Sequence, residues 1–157
     1  MARRSTSVTR PALKGRDRSA QETVIMLTLF GSALLVATLF LISHIKEDDG
    51  DQTNQVTDVQ RFSLATIAIV AIAASVHYFG SIDSASMRLL VLGLGITGIA
   101  LSCLGIRYSM RLAEDDNTNY SDEYKAMRWV ALGGFISSLL FSTVVSVRYL
   151  SSYRMPI

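Results

Sequence analysis

Residues 89–106 read LLVLGLGITGIALSCLGI, 18 consecutive positions without an Asp, Glu, Lys or Arg. A helix rises about 1.5 Å per residue and a bilayer's hydrocarbon core is about 30 Å thick, so a run of this length crosses nearly all of it. A surface helix of a water-soluble domain carries a polar stripe, and this segment has none. Three more uncharged runs exist: 23 residues between Glu22 and Lys46, 21 between Arg61 and Asp83, and 19 between Arg128 and Arg148. Together they fill about half of a 157-residue chain that is 50% apolar, leaving little for a soluble core. The sequence predicts an all-α membrane protein, a four-transmembrane-helix antiparallel bundle. Its spans should lie at about 23–45, 62–80, 89–106 and 129–147.

Outside the spans the composition changes sharply. Residues 1–18 carry Arg3, Arg4, Arg10, Lys14, Arg16 and Arg18 against Asp17, with no apolar periodicity, and read as a disordered or partner-ordered tail. Ser19-Ala-Gln-Glu22 forms a capping box and should start the first helix. Thr57-Asp-Val-Gln60 does the same for the second, Ser81 or Asp83 can cap the third, and Ser121 the fourth. The expected organisation is a first hairpin over 19–80 with an acidic loop at 46–61, and a second over 84–150 with an acidic loop at 107–128. A short tail, 151–157, follows. The third helix should run a turn or two past Arg107.

The two hairpins look duplicated. At an offset of 67, Gly31, Ala33 and Leu34 match Gly98, Ala100 and Leu101, and Arg61-Phe62 matches Arg128-Trp129. Apolar helices resemble one another by composition, which discounts the Ala and Leu matches. The acidic triplets Glu47-Asp48-Asp49 and Glu114-Asp115-Asp116 at equivalent loop positions are harder to discount.

Charge sets the expected orientation. The tail, the middle link and the C-terminal end hold nine Lys or Arg, and the two acidic loops hold six. Cytoplasmic loops are enriched in cations, so both chain ends are placed on the cytoplasmic or equivalent side.

Helices in lipid associate through close backbone approach and polar contacts. Gly95, Gly98, Ser102, Gly105 and Ser109 share one face of the third helix, and Gly134, Ser138 and Ser142 recur every four residues on the fourth. The second offers Ala65, Ala68 and Ser75, the first Thr28, Gly31 and Thr38. Helices three and four should form the tight centre, with helix one peripheral. The glycine stripe suits packing inside one bundle, or an oligomer interface.

Reactive chemistry is sparse. No ionisable residue falls deep in a span, where one would mark function. His44 and His77 lie near span ends and, without a Cys partner, do not suggest a metal site. The acidic stretch from Asp48 lacks the closing Glu of a calcium loop. Tyr78, Trp129, Tyr149 and Tyr153 sit where interfacial aromatic anchors belong. Residues 32–42, SALLVATLFLI, with 70–79, VAIAASVHYF, resemble the first two helices of microbial rhodopsins. That resemblance implies seven helices and a retinal-linked lysine inside the last. Lys14, Lys46 and Lys125 all lie outside the spans, so a light-driven pump is excluded.

The sequence therefore points to a non-enzymatic structural subunit, without cofactor or metal, that anchors or organises a larger membrane assembly. The setting could be an organellar complex or a virion membrane beneath a capsid. Its partners would be the bilayer and other protein subunits, with the basic tail meeting anionic lipid or an acidic protein surface. The tail lacks the stacking aromatics of a nucleic-acid binder. The alternative is a small oligomeric channel or transporter with a Ser/Thr/Gly-lined path.

Overall fold

In lipid no water is present to satisfy backbone N–H and C=O groups, so an uncharged run of 18 or more residues must bond within itself as a helix. The computed structural model is all-helical and describes residues 12–49, 54–79, 85–111 and 122–151, with side chains for 22–44, 56–76, 85–111, 122 and 124–150. The helices are α1 (Ala12–Asp49), α2 (Asn54–Phe79), α3 (Ala85–Arg111) and α4 (Asp122–Ser151). Within them Glu22–His44, Val56–Val76, Ala85–Arg111 and Tyr124–Leu150 are each long and apolar enough to cross a membrane. This is the architecture of a multi-pass integral membrane protein.

Helix ends differ from the expected ones. α1 begins at Ala12, so Ser19 lies inside a helix and residues 12–18 are not an irregular tail. A cap contributes only about 1 kcal/mol, and Ala12, Leu13, Lys14, Arg16 and Arg18 are all good helix formers. Gly15 is the poorest helix former in this stretch, and Pro11 stands immediately before Ala12. With 38 residues α1 is about 57 Å long, well beyond the hydrocarbon thickness, so its basic N-terminal turns project from the span. The first acidic loop is shorter than expected, since α1 continues through Asp49 and α2 starts at Asn54, whereas α3 runs one turn past Arg107 to Arg111 and α4 starts at Asp122, next to the expected cap Ser121.

α4 is the hub. Its seams with α3 and with α1 are the two most extensive, α2 packs chiefly on α3, and among the described residues α1 and α3 do not meet. The expectation of a peripheral first helix is therefore corrected. Its one glycine within the span, Gly31, lies against Ser137 and Ser138, while Gly134 of α4 lies against Leu35. Counting small residues per helix missed that complementary ones meet across this seam. The face of α2 is corrected too: Val56, Val59, Ser63, Thr66, Val70 and Ala73 are buried at three- and four-residue spacings, whereas Ala68 and Ser75 are exposed.

The core has two apolar ends. At one, Leu35, Ile42, Val56, Val59, Met127, Ala131 and Phe135 cluster. At the other, Val24, Val70, Ala73, Val91, Phe141, Val145 and Tyr149 do so. The outer surface is apolar in the way lipid requires: Phe40 is 73% exposed and Met26 69%.

Candidate functional site

Between the two apolar clusters the interior is built from small and hydroxyl side chains: α2 contributes Ser63 and Thr66, α3 Gly98 and Ser102, and α4 Ser138, all buried, while Thr38 of α1 and Ser142 of α4 are buried within the stretches that form the clusters. The belt follows from the sequence pattern. Small residues on α3 and α4 let the backbones close up, and hydroxyls are the smallest polar groups a helix can carry inward.

The α3–α4 seam is tight along its length. A Cβ placed on Gly95 would strike Ser146 Oγ, one on Gly98 would strike Ser142 Oγ, and one on Gly105 would strike the Phe135 ring. As α3 numbers rise, the α4 partners fall. Across the other large seam, a Cβ on Gly134 would lie 2.8 Å from Leu35 Cδ2 and 3.1 Å from the Leu35 backbone nitrogen. One on Gly31 would lie 3.0 Å from Ser137 Cβ. Gly95, Gly98, Ser102 and Gly105 are thus gathered on one buried face of α3, opposite Ser142 and Phe135. Gly134 and Ser138 instead turn toward α1.

Hydroxyls divide into two groups by their bonding. The exposed ones close on their own helix: Ser75 Oγ donates to Ala71 O at 2.7 Å, Thr97 Oγ1 to Gly93 O at 2.9 Å and Thr143 Oγ1 to Leu139 O at 2.8 Å. Thr28 and Thr38 do the same on α1. By contrast Ser63, Thr66, Ser102, Ser109 and Ser146 are buried with no hydrogen-bond partner. An unsatisfied buried hydroxyl costs about 1–3 kcal/mol, so a row of them is an unusual feature for a purely packed core. Ser102 was readable from the sequence as a packing residue. Ser63 and Thr66 were not, although their seven-residue spacing from Val56, Val59, Val70 and Ala73 was the available signal.

Near the span ends the chemistry is interfacial. Trp129 is 67% exposed, with the Arg128 guanidinium 5.4 Å from its ring centre. Tyr108 stacks on Phe62 at 5.0 Å and receives Arg111 at 5.9 Å. Tyr149 is not a lipid-facing anchor, because it is 4% exposed within the core. His44 is exposed, while the side chains of His77, Tyr78 and Tyr153 lie outside the described residues.

Of the expected basic contacts, Lys14, Arg16 and Arg18 lie on the projecting start of α1, and Arg3, Arg4 and Arg10 lie outside the described residues. Glu47, Asp48 and Asp49 form the last turn of α1, and Glu114, Asp115 and Asp116 lie outside the described residues. Among the described residues no group of three His, Cys, Asp or Glu could hold a metal ion. No protein-family model, curated protein or solved structure matches the chain.

Proposed function

We propose that the protein is a non-catalytic structural membrane subunit: an antiparallel four-helix bundle that anchors or organises a larger assembly in its membrane. The observation that carries this reading is the sealed seam. At Gly95, Gly98, Gly105 and Gly134 helices approach so closely that one added carbon collides with a neighbouring side chain, and in the last case it also stands 3.1 Å from the Leu35 backbone nitrogen. Bundles packed this closely hold a fixed shape, as a scaffold requires, and resist the helix separations on which transport cycles depend. The opposed numbering of partners on α3 and α4, and on α1 and α4, supports the antiparallel arrangement.

In this reading both chain ends face the cytoplasm or its equivalent, and the basic start of α1 meets an acidic protein surface or anionic lipid. Settings that suit such a subunit are an organellar membrane complex and a virion membrane under a capsid. In this reading the two hairpins derive from duplication, which the paired Glu-Asp-Asp triplets support.

A pull-down of the native complex tests the proposal. A large partner should copurify in fixed stoichiometry, and deletion of residues 1–18 should release it. Absence of any partner, with the protein alone in liposomes conducting ions or solutes, sinks the structural reading. The unpartnered hydroxyls Ser63, Thr66, Ser102 and Ser109 favour one second reading, a channel or transporter with a hydroxyl-lined path. The liposome flux assay separates the two.

A further inference from the structure

Contacts across the seams fix the heights of the helices against one another. Gly98 opposite Ser142 and Gly105 opposite Phe135 put Ser102 of α3 level with Ser138 of α4. A Cβ on Gly31 would lie 3.4 Å from Ser138 N and Oγ, so Gly31 of α1 joins the same level. Phe62 stacks on Tyr108, and Ile69 Cγ2 lies 3.6 Å from the Cβ position of Gly98, which puts Thr66 of α2 level with Ser102. One inward residue from each helix thus shares a single height, and all four are buried.

No inward side chain in this layer is larger than threonine. Leu35 and Phe135 fill the core on one side of it, and Val70 and Phe141 fill the other. The layer is also where two hydroxyls lack a partner: Thr66 Oγ1 and Ser102 Oγ are fully buried and bond to no protein group. Their own helices offer carbonyls, and Thr38, equally buried, takes Leu34 O at 2.9 Å. Thr66 and Ser102 do not turn back in this way. No Asp, Glu, Lys or Arg lies within four residues of any member of the layer. A ligand here must therefore be neutral, no larger than the gap beside threonine and serine, and able both to donate and to accept hydrogen bonds. Water meets all three conditions.

We propose that Thr66 and Ser102 hold an ordered internal water between α2 and α3 at the middle of the bundle. The two apolar clusters close the site on either side, so the water is retained rather than conducted. The competing explanation is that both hydroxyls rotate onto the carbonyls of Phe62 and Gly98 on their own helices. The bonds of a bridging water are largely offset by the entropy of ordering it, so hydration reads the site better than stability does. The assignment does not depend on the proposed scaffold role.

Water-edited solid-state NMR of the full chain, isotope-labelled in Ser and Thr and held in liposomes of deuterated phosphatidylcholine, tests the site. Magnetisation from water should reach Cβ of Thr66 and Ser102 at a mixing time that leaves Thr38 and Thr97 dark. T66V, which keeps the side-chain shape, should abolish transfer to Ser102, and T66S should restore it. S102A should likewise abolish transfer to Thr66. Circular dichroism confirms that each variant remains helical. Transfer to Thr66 and Ser102 no greater than to Thr38 overturns the proposal in favour of bonding to the helices' own carbonyls. Full transfer to Ser102 in T66V also overturns it. Equal transfer to Ser63, Ser109 and Ser146 would mark a continuous aqueous path and contradict an enclosed site.

Discussion

Replacing Gly134 by Ala puts the close packing of α1 on α4 to its hardest test, because Ala is the better helix former. In an exposed helix position the exchange stabilises by about 1 kcal/mol. Here the new Cβ would lie 2.8 and 2.9 Å from Leu35 Cδ2 and Cγ and 3.1 Å from the Leu35 nitrogen. Carbon atoms settle at about 3.5–4.0 Å, so α1 and α4 must part by several tenths of an ångström or more. Leu35 is fully buried, which leaves its side chain nowhere to turn, and the backbone nitrogen cannot move alone. Overpacking of this kind costs about 1–3 kcal/mol, so the helix-propensity gain is cancelled or exceeded. Gly93 supplies the control, since nothing lies within 4 Å of its Cβ position. Reversible unfolding in mixed micelles, followed by circular dichroism, should rank Gly93→Ala at or above wild type and Gly134→Ala at or below it. A Gly134→Ala protein more stable than both would refute the close seam between α1 and α4.

Further outcomes follow from the same packing. Gly98→Leu should abolish the folded bundle, since even a single Cβ strikes Ser142 and Ile69 lies only 3.6 Å from it; unchanged gel-filtration and melting behaviour would contradict this. Gly105→Ala should destabilise by about 1–3 kcal/mol and Phe135→Leu should recover part of that deficit, a positive coupling readable from a double-mutant cycle. Ser102→Ala should leave stability unchanged or raise it by about 1 kcal/mol, because the hydroxyl it removes is buried without a partner; a clear destabilisation would reveal a bonding partner for Ser102. Cys103 is exposed on the lipid side of α3, so membrane-permeant maleimides should label it far faster than charged thiosulfonates.

The four spans were legible because their cause is local: lipid excludes charge, and charge-free stretches can be counted along the chain. The α3 face was legible for a related reason. Gly95, Gly98, Ser102, Gly105 and Ser109 repeat with helical spacing, and a stripe of such small residues admits a neighbouring helix at close range. The place of α1 was not readable, since its seam depends on one glycine meeting Ser137 and on Gly134 meeting Leu35, a match between distant segments. Ser63 and Thr66 were hidden among the alanines of α2, which are as small and occur on every side of that helix. Helix ends were the least legible. Ser19 carries a sound capping pattern, yet the chain before it is also made of helix formers, and about 1 kcal/mol of capping does not decide between two starts.

That the chain crosses its membrane four times is the claim on which the rest depends. Single-site accessibility tags at Gly50, Ser84 and Asn117, read in intact and permeabilised vesicles, measure it most directly. Gly50 and Asn117 should share one side, with Ser84 and both chain ends on the other. Ser84 on the same side as Gly50, or a chain that stays monomeric in buffer without detergent, would contradict the four-span topology.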